Sequence, residues 1–219
     1  GLGQQIISEL ELQASKVGIT EICLNARDEA LGFYQKLDYE NQGYSHTLFG
    51  NVKHYRMTKK LTSHTQHKIT QAHALQELWH ETIPLSKAMD LQISYYDSAE
   101  LVTVCDADFN QNLHHTMFAG SIYTLATLTG WGWVYLALQD KLQEQQQEQA
   151  NLDGDIVLAD ANIRYHSPIK GLAYAKVVES DVSGTFDPLA QGQKARIKLV
   201  AHVYCGENIA ATFTGSYFI

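Results

Sequence analysis

One asparagine and two histidines, Asn112, His114 and His115, stand immediately before a run, Thr116 to Leu138, that carries no charged side chain. A histidine can take a proton from water near neutral pH, and an asparagine can hold that water or a carbonyl oxygen. If the uncharged run is a helix, Ala119, Gly120 and Ser121 lie near its start. There the helix offers backbone N–H groups without partners and about half a positive charge. Such donors stabilise negative charge developing on a carbonyl oxygen, one well-aimed donor by about 3 kcal/mol. The competing roles are structural: Gly120 as a point of close packing, and each histidine as a solvated loop residue. On an extended segment, neighbouring histidines point to opposite sides, so one of the two is expected to face a pocket. Asp108, further back, is a further candidate, and His166 in "RYHSP" reads as structural beside Pro168. The histidine pair lacks a third ligand at regular spacing, so no metal is expected.

A second constellation opens the chain. Gly1 and Gly3 precede a helix-patterned segment, and glycines there let a pyrophosphate approach the unpaired N–H groups of a helix. The same glycines also suit an ordinary strand-to-helix turn.

The elements that would position these groups fall into two sections. In the first, Ile6, Ile7, Leu10, Ala14 and Val17 recur at helical spacing, and Gly18 supplies a stop. A strand "ITEICLN", a helix with Ala30, Phe33, Tyr34 and Leu37 on one face, and two alternating runs follow. The polar segment at 62–70 has no periodicity and reads as a linker between residues 1–61 and 71–219. Beyond it come a short helix, two strand-like runs, the long uncharged segment and four further strand-like runs from "DIVLADANIRYHSP" to "ENIAATFTGSYFI". One apolar helix with about six strands predicts an antiparallel sheet wrapped on that helix, an α+β arrangement.

Composition narrows the function. A formal charge of -8 and no basic run longer than Lys59-Lys60 argue against nucleic acid as the main partner. The 3 cysteines, Cys23, Cys105 and Cys205, are far apart and fit neither a zinc pattern nor a disulfide framework, so a cytoplasmic setting is expected. Thr116 to Leu138 is long enough to cross a bilayer, but it carries Ser121, Thr124, Thr127 and Thr129 and lacks a Lys or Arg bias at its ends. A helix enclosed by a sheet fits it better, and no membrane partner is expected.

Two resemblances sharpen these expectations. The segment "GLGQQIISELELQASKVGITEICLNARDEALGFYQKLDY" resembles the second half of a GNAT acetyltransferase. The resemblance implies that Gly1 and Gly3 bind the pyrophosphate of acetyl-CoA, that Asn25 lies beside the pantetheine arm, and that Tyr34 protonates the leaving thiolate. Tyr34 equally suits an aromatic packing on its helix face. The match departs at Asp38-Tyr39, where the family usually has Gly-Phe, and it begins at the glycine turn, so this section is expected to be a partial GNAT α/β domain without acetyltransferase activity as it stands. The segment "N-x-x-x-T-M-F-A-G-S-x-Y-x-L-A-x-L-x-G-W" at Asn112 to Trp131 resembles the YiiD-type thioesterase domain, which has a hot-dog fold and follows a GNAT domain in its family. That implies hydrolysis of acyl thioesters of coenzyme A or acyl carrier protein, no required cofactor, and a homodimer. Asn112, His114, His115, Gly120 and Ser121 are then the catalytic candidates, and Tyr123, Trp131 and Trp133 belong to the core or the acyl tunnel. Related phenylacetyl-CoA-type thioesterases carry an acid at the position of Thr127, and a threonine cannot serve as that base. A module that binds acyl thioesters without cleaving them, or acyl transfer in a longer chain, are the alternatives.

Overall fold

The computed structural model describes residues 2–16, 19–61, 63–144 and 155–219. The chain divides into two compact units, residues 2–70 and 71–219. In the first, helix α1 (Leu2–Lys16) leads to strand β1 (Glu21–Arg27), then helix α2 (Leu31–Gln35), and the paired strands β2 (Glu40–Leu48) and β3 (Val52–Lys60). The strands form an antiparallel sheet in the order β1-β3-β2. Ala26, Leu37, Tyr39 and Met57 make its small core. Beside them the buried Lys59 Nζ donates to both carboxylate oxygens of Glu11 at 3.0 and 2.9 Å, which offsets the penalty of burying either charge alone.

Helix α3 (Ser63–Thr82) carries residues 63–70, expected as an unpatterned linker, in helical form. Lys68, Gln71, Leu75 and Trp79 are the buried positions of one helical stripe, and two of them are polar. The helix read beyond residue 70 is the part that holds Leu75 and Trp79, while the buried Lys68 gives 63–70 no apolar period to read. Pro84 then opens helix α4 (Pro84–Ala88), since a proline fits the first turn of a helix and not the interior of α3.

In the second unit, strands β4 (Gln92–Tyr96) and β5 (Glu100–Asp106) precede the long helix α5 (Ala119–Glu144). After it come β6 (Val157–Tyr165), β7 (Leu172–Val178), the two-residue β8 (Val182–Ser183), β9 (Arg196–Cys205) and β10 (Asn208–Phe218). The sheet is antiparallel throughout, in the order β4-β5-β7-β9-β10-β6, with β8 beside β9. Register shifts between Ile209 and Ala211 and between Ser216 and Tyr217 help β10 bend round the helix.

Helix α5 packs across β5, β7, β9 and β10. Small side chains let it approach: Ala173, Ala175, Ala201 and Ala211 are fully buried, alternating along their strands with solvent-side residues. On the helix, a Cβ added to Gly132 would lie 2.6 Å from the Trp79 ring, so the indole rests directly on helix backbone. Thr103 and Thr129 bridge sheet and helix through a 2.6 Å hydroxyl contact, which satisfies two buried polar groups with one bond. Six of the seven strands coincide with runs visible in the sequence, and only β8 is too short to leave a pattern. Among the described residues no helix is long and apolar enough to cross a membrane.

Candidate active site

The connection from β5 to α5 is built to hold a tight turn. Asp106 caps a short 3₁₀ segment (Ala107–Asn110) by accepting from the Asp108 N–H at 2.9 Å. The buried Asn110 amide then donates to the carbonyls of Met89 and Asp106. Residues 112–116 close on themselves: the Asn112 N–H donates to the Thr116 carbonyl at 2.8 Å, and the His115 N–H to the Asn112 carbonyl at 3.1 Å. The Asn112 side chain reinforces this from within. Its oxygen accepts from the His114 N–H at 2.8 Å and contacts the Thr116 hydroxyl at 3.3 Å, while its nitrogen donates to that hydroxyl. Asn112 therefore organises the turn with the oxygen that was expected to hold water.

The histidines lie in a turn and not on the extended segment assumed from the sequence, and both are exposed. His115 has φ 55°, in the left-handed region that few residues other than glycine adopt. Its Nδ1 lies 3.2 Å from Gln111 Oε1, and Gln111 Nε2 donates in turn to the Asp108 carboxylate at 3.1 Å. An amide oxygen only accepts, so Nδ1 is the donor in this contact, and in the neutral ring the lone pair lies on Nε2. The contact with Gln111 favours the tautomer in which Nε2 faces away from the amide. The ring of His114 has no such partner among the described residues.

At the helix start, the Phe118 N–H donates to the Asn110 carbonyl at 2.7 Å, and its carbonyl receives the first helical bond, from Ile122, at 3.1 Å. Phe118 is thus the cap of α5, where serine, threonine or aspartate would fold a side chain back onto the first amides. A phenylalanine cannot do so. Among the described residues nothing accepts from the N–H groups of Ala119, Gly120 or Ser121. Neighbouring groups are directed elsewhere: Tyr165 on β6 donates its hydroxyl to the Ala119 carbonyl at 3.0 Å, and Thr124 donates to that of Gly120 at 2.9 Å.

Gly120 proves to be a point of close approach, though to a different group than the sheet. A Cβ there would sit 2.3 Å from Phe118 Cε1 and 3.0 Å from two more atoms of that ring. Thr127 lies two turns further along, with its hydroxyl buried and without a hydrogen-bond partner among the described residues. Its carbonyl accepts from the Tyr217 hydroxyl at 3.1 Å. His166 is occupied by Thr212 at 3.0 Å, Tyr123 packs edge-on against Phe213, Trp131 donates to the Ile156 carbonyl, and Trp133 is buried in the core. Among the described residues no three histidine, cysteine or acidic side chains are grouped to hold a metal. Burial in the core pushes the Cys105 thiol up to about 12, which leaves it unreactive at neutral pH.

The model of the family described as "Putative thioesterase (yiiD_Cterm)" matches residues 72–219. The chain belongs to this YiiD C-terminal thioesterase family. A GNAT acetyltransferase domain model matches residues 1–61 ahead of it. Among solved structures, the putative thioesterase of Shewanella oneidensis is 42% identical, with 68% of this chain and 96% of that chain covered and a TM-score of 0.59. A protein of unknown function from Chlorobaculum tepidum is 27% identical over 67% of this chain and 92% of its own, with a TM-score of 0.55. A probable thioesterase of Pseudomonas aeruginosa, 16% identical over 67% and 93% with a TM-score of 0.52, shares the fold. The YiiD-type unit is thus a hot-dog fold, a sheet wrapped round one central helix, preceded by part of a GNAT domain.

In that GNAT part, Gly1 lies outside the described residues. Gly3 falls inside the first turn of α1, not in a turn ahead of it, with the Phe33 ring 3.2 Å from the place of a Cβ. Asn25 is exposed on β1 opposite Arg56. Tyr34 packs edge-on against Phe33 and Tyr39, and its carbonyl receives the Tyr39 N–H. Sequence reasoning missed Gln111, Phe118 and Tyr165 in the YiiD-type unit. A glutamine four residues before a histidine and a phenylalanine two before a glycine carry no pattern until the chain is folded.

Proposed function

We propose that the YiiD-type unit hydrolyses acyl thioesters of coenzyme A or acyl carrier protein, with the start of α5 as the oxyanion site and His115 as the general base. The observation that carries this reading is the uncapped helix start, with the N–H groups of Ala119, Gly120 and Ser121 unpaired beside a turn that holds one histidine in the basic tautomer. In the proposed reaction His115 Nε2 takes a proton from water as the water oxygen bonds to the thioester carbonyl carbon. The carbonyl oxygen becomes negative and is held by the helix amides. The intermediate then reforms its carbonyl, breaks the C–S bond and expels the thiolate, which recovers the proton from His115. The products are the carboxylic acid and the free thiol. No cofactor enters these steps. Asn112 positions the histidine turn, and Thr127 takes no part in proton transfer.

We place the second copy of a homodimer along β6, an edge strand of the sheet, which leaves Val157 and Tyr165 exposed. For the GNAT part, the reading stays with acetyl-CoA at the start of α1, near Gly1 and Gly3, with Asn25 beside it. Tyr34 serves there as a packing residue.

The test is thiol release from a panel of acyl-CoA and acyl carrier protein thioesters of several chain lengths, with the full chain and its Asn112→Ala variant. Turnover on at least one thioester is expected, and Asn112→Ala is expected to lower it by loosening the turn. Substrate binding without turnover across the panel would replace hydrolysis with a thioester-binding role.

A further inference from the structure

Phe118 combines three properties that a structural cap does not need. Its ring lies against Gly120, so close that three of its atoms stand within 3.0 Å of where a single methyl group would be. The side chain is nevertheless 55% exposed, so the core does not hold the ring from its outer side. The backbone on either side is fixed by the bonds to Asn110 and from Ile122, so the ring can turn about its own side-chain torsion while the helix start stays in place. Two more large apolar side chains in the same connection, Phe109 at 72% and Leu113 at 86%, also face solvent. Grouped apolar exposure of this kind signals a surface that meets an apolar ligand.

Resting on the thioesterase reading, we propose that Phe118 determines acyl specificity at the atoms next to the carbonyl. The ring and the α-carbon of an acyl group compete for the same space over Gly120. An acyl carbonyl reaches the helix amides only when the ring turns aside, and the ring then closes against the acyl chain. An unbranched chain leaves room for this and a substituent on the α-carbon does not. The wild-type protein therefore prefers straight-chain acyl groups to α-branched ones.

The experiment compares butyryl-CoA with isobutyryl-CoA in the full chain, using wild type, Phe118→Ala and Phe118→Leu. Two readouts are taken: kcat/KM for hydrolysis, and Kd for the corresponding analogues in which a methylene replaces the thioester sulfur. Phe118→Ala is expected to shift the straight-to-branched ratio by about 10-fold toward the branched substrate, the scale at which pockets discriminate one carbon. Phe118→Leu should fall between. Thermal unfolding of both variants should match wild type, since the side chain is half exposed. An unchanged ratio in both readouts overturns the proposal. No turnover by wild type, with a Kd ratio that still moves, removes the hydrolysis reading and keeps Phe118 as the selector. Failure of the analogues to bind, together with no turnover by wild type, removes both.

Discussion

His115→Ala is expected to lower kcat for thioester hydrolysis by about 10²- to 10⁴-fold, while His114→Ala retains most of the activity. The sequence offers the two histidines as equals. The fold separates them, because only His115 has its Nδ1 proton committed to Gln111 Oε1, with Asp108 holding the far end of that amide. Nε2 is then the ring nitrogen left to face water in the neutral ring. Gln111→Ala should lower kcat by less and leave KM unchanged, since it frees the ring to rotate or change tautomer without removing it. Full activity in His115→Ala, or a larger loss in His114→Ala, would reassign the base.

The second large effect concerns the helix amides. Proline is tolerated in the first turn of a helix because its missing N–H has no helical partner there. Ala119→Pro and Ser121→Pro each delete one unpaired donor while leaving the Ile122 to Phe118 bond, where α5 becomes self-supporting, in place. Removing one donor to a developing oxyanion lowers kcat by about 10²- to 10³-fold. At least one of the two prolines is expected to do so, with KM and the unfolding temperature little changed. If both variants turn over at the wild-type rate, the start of α5 is not where the carbonyl oxygen sits.

How much of this could be read in advance depends on the physical signal each feature leaves. The enclosed helix was legible because its run carries no charge while the neighbouring runs alternate in hydropathy. The helix start just after Asn112 to Phe118 was legible as a place, since residue types and a helix boundary are local properties. The start of helix α3 was obscured because its buried side includes Lys68, which hydropathy scores as solvent-facing. The geometry on which the proposed division of labour rests was obscured for a different reason. The left-handed backbone at His115, the amide link through Gln111 and the ring of Phe118 on Gly120 are set by torsion angles, and torsion angles leave no trace in composition or spacing.

The two halves of the proposed site rest on unlike foundations. The amide donors belong to α5, seated against Trp79 and four strands, and such a core element opens only when the whole unit unfolds. The histidine belongs to a five-residue turn closed largely by one asparagine side chain. Hydrogen exchange at the turn amides should therefore follow local opening events, while amides in the middle of α5 exchange only through global ones. On warming, the protein should stop turning over substrate before it melts, because the base drifts out of register while the oxyanion donors remain in place.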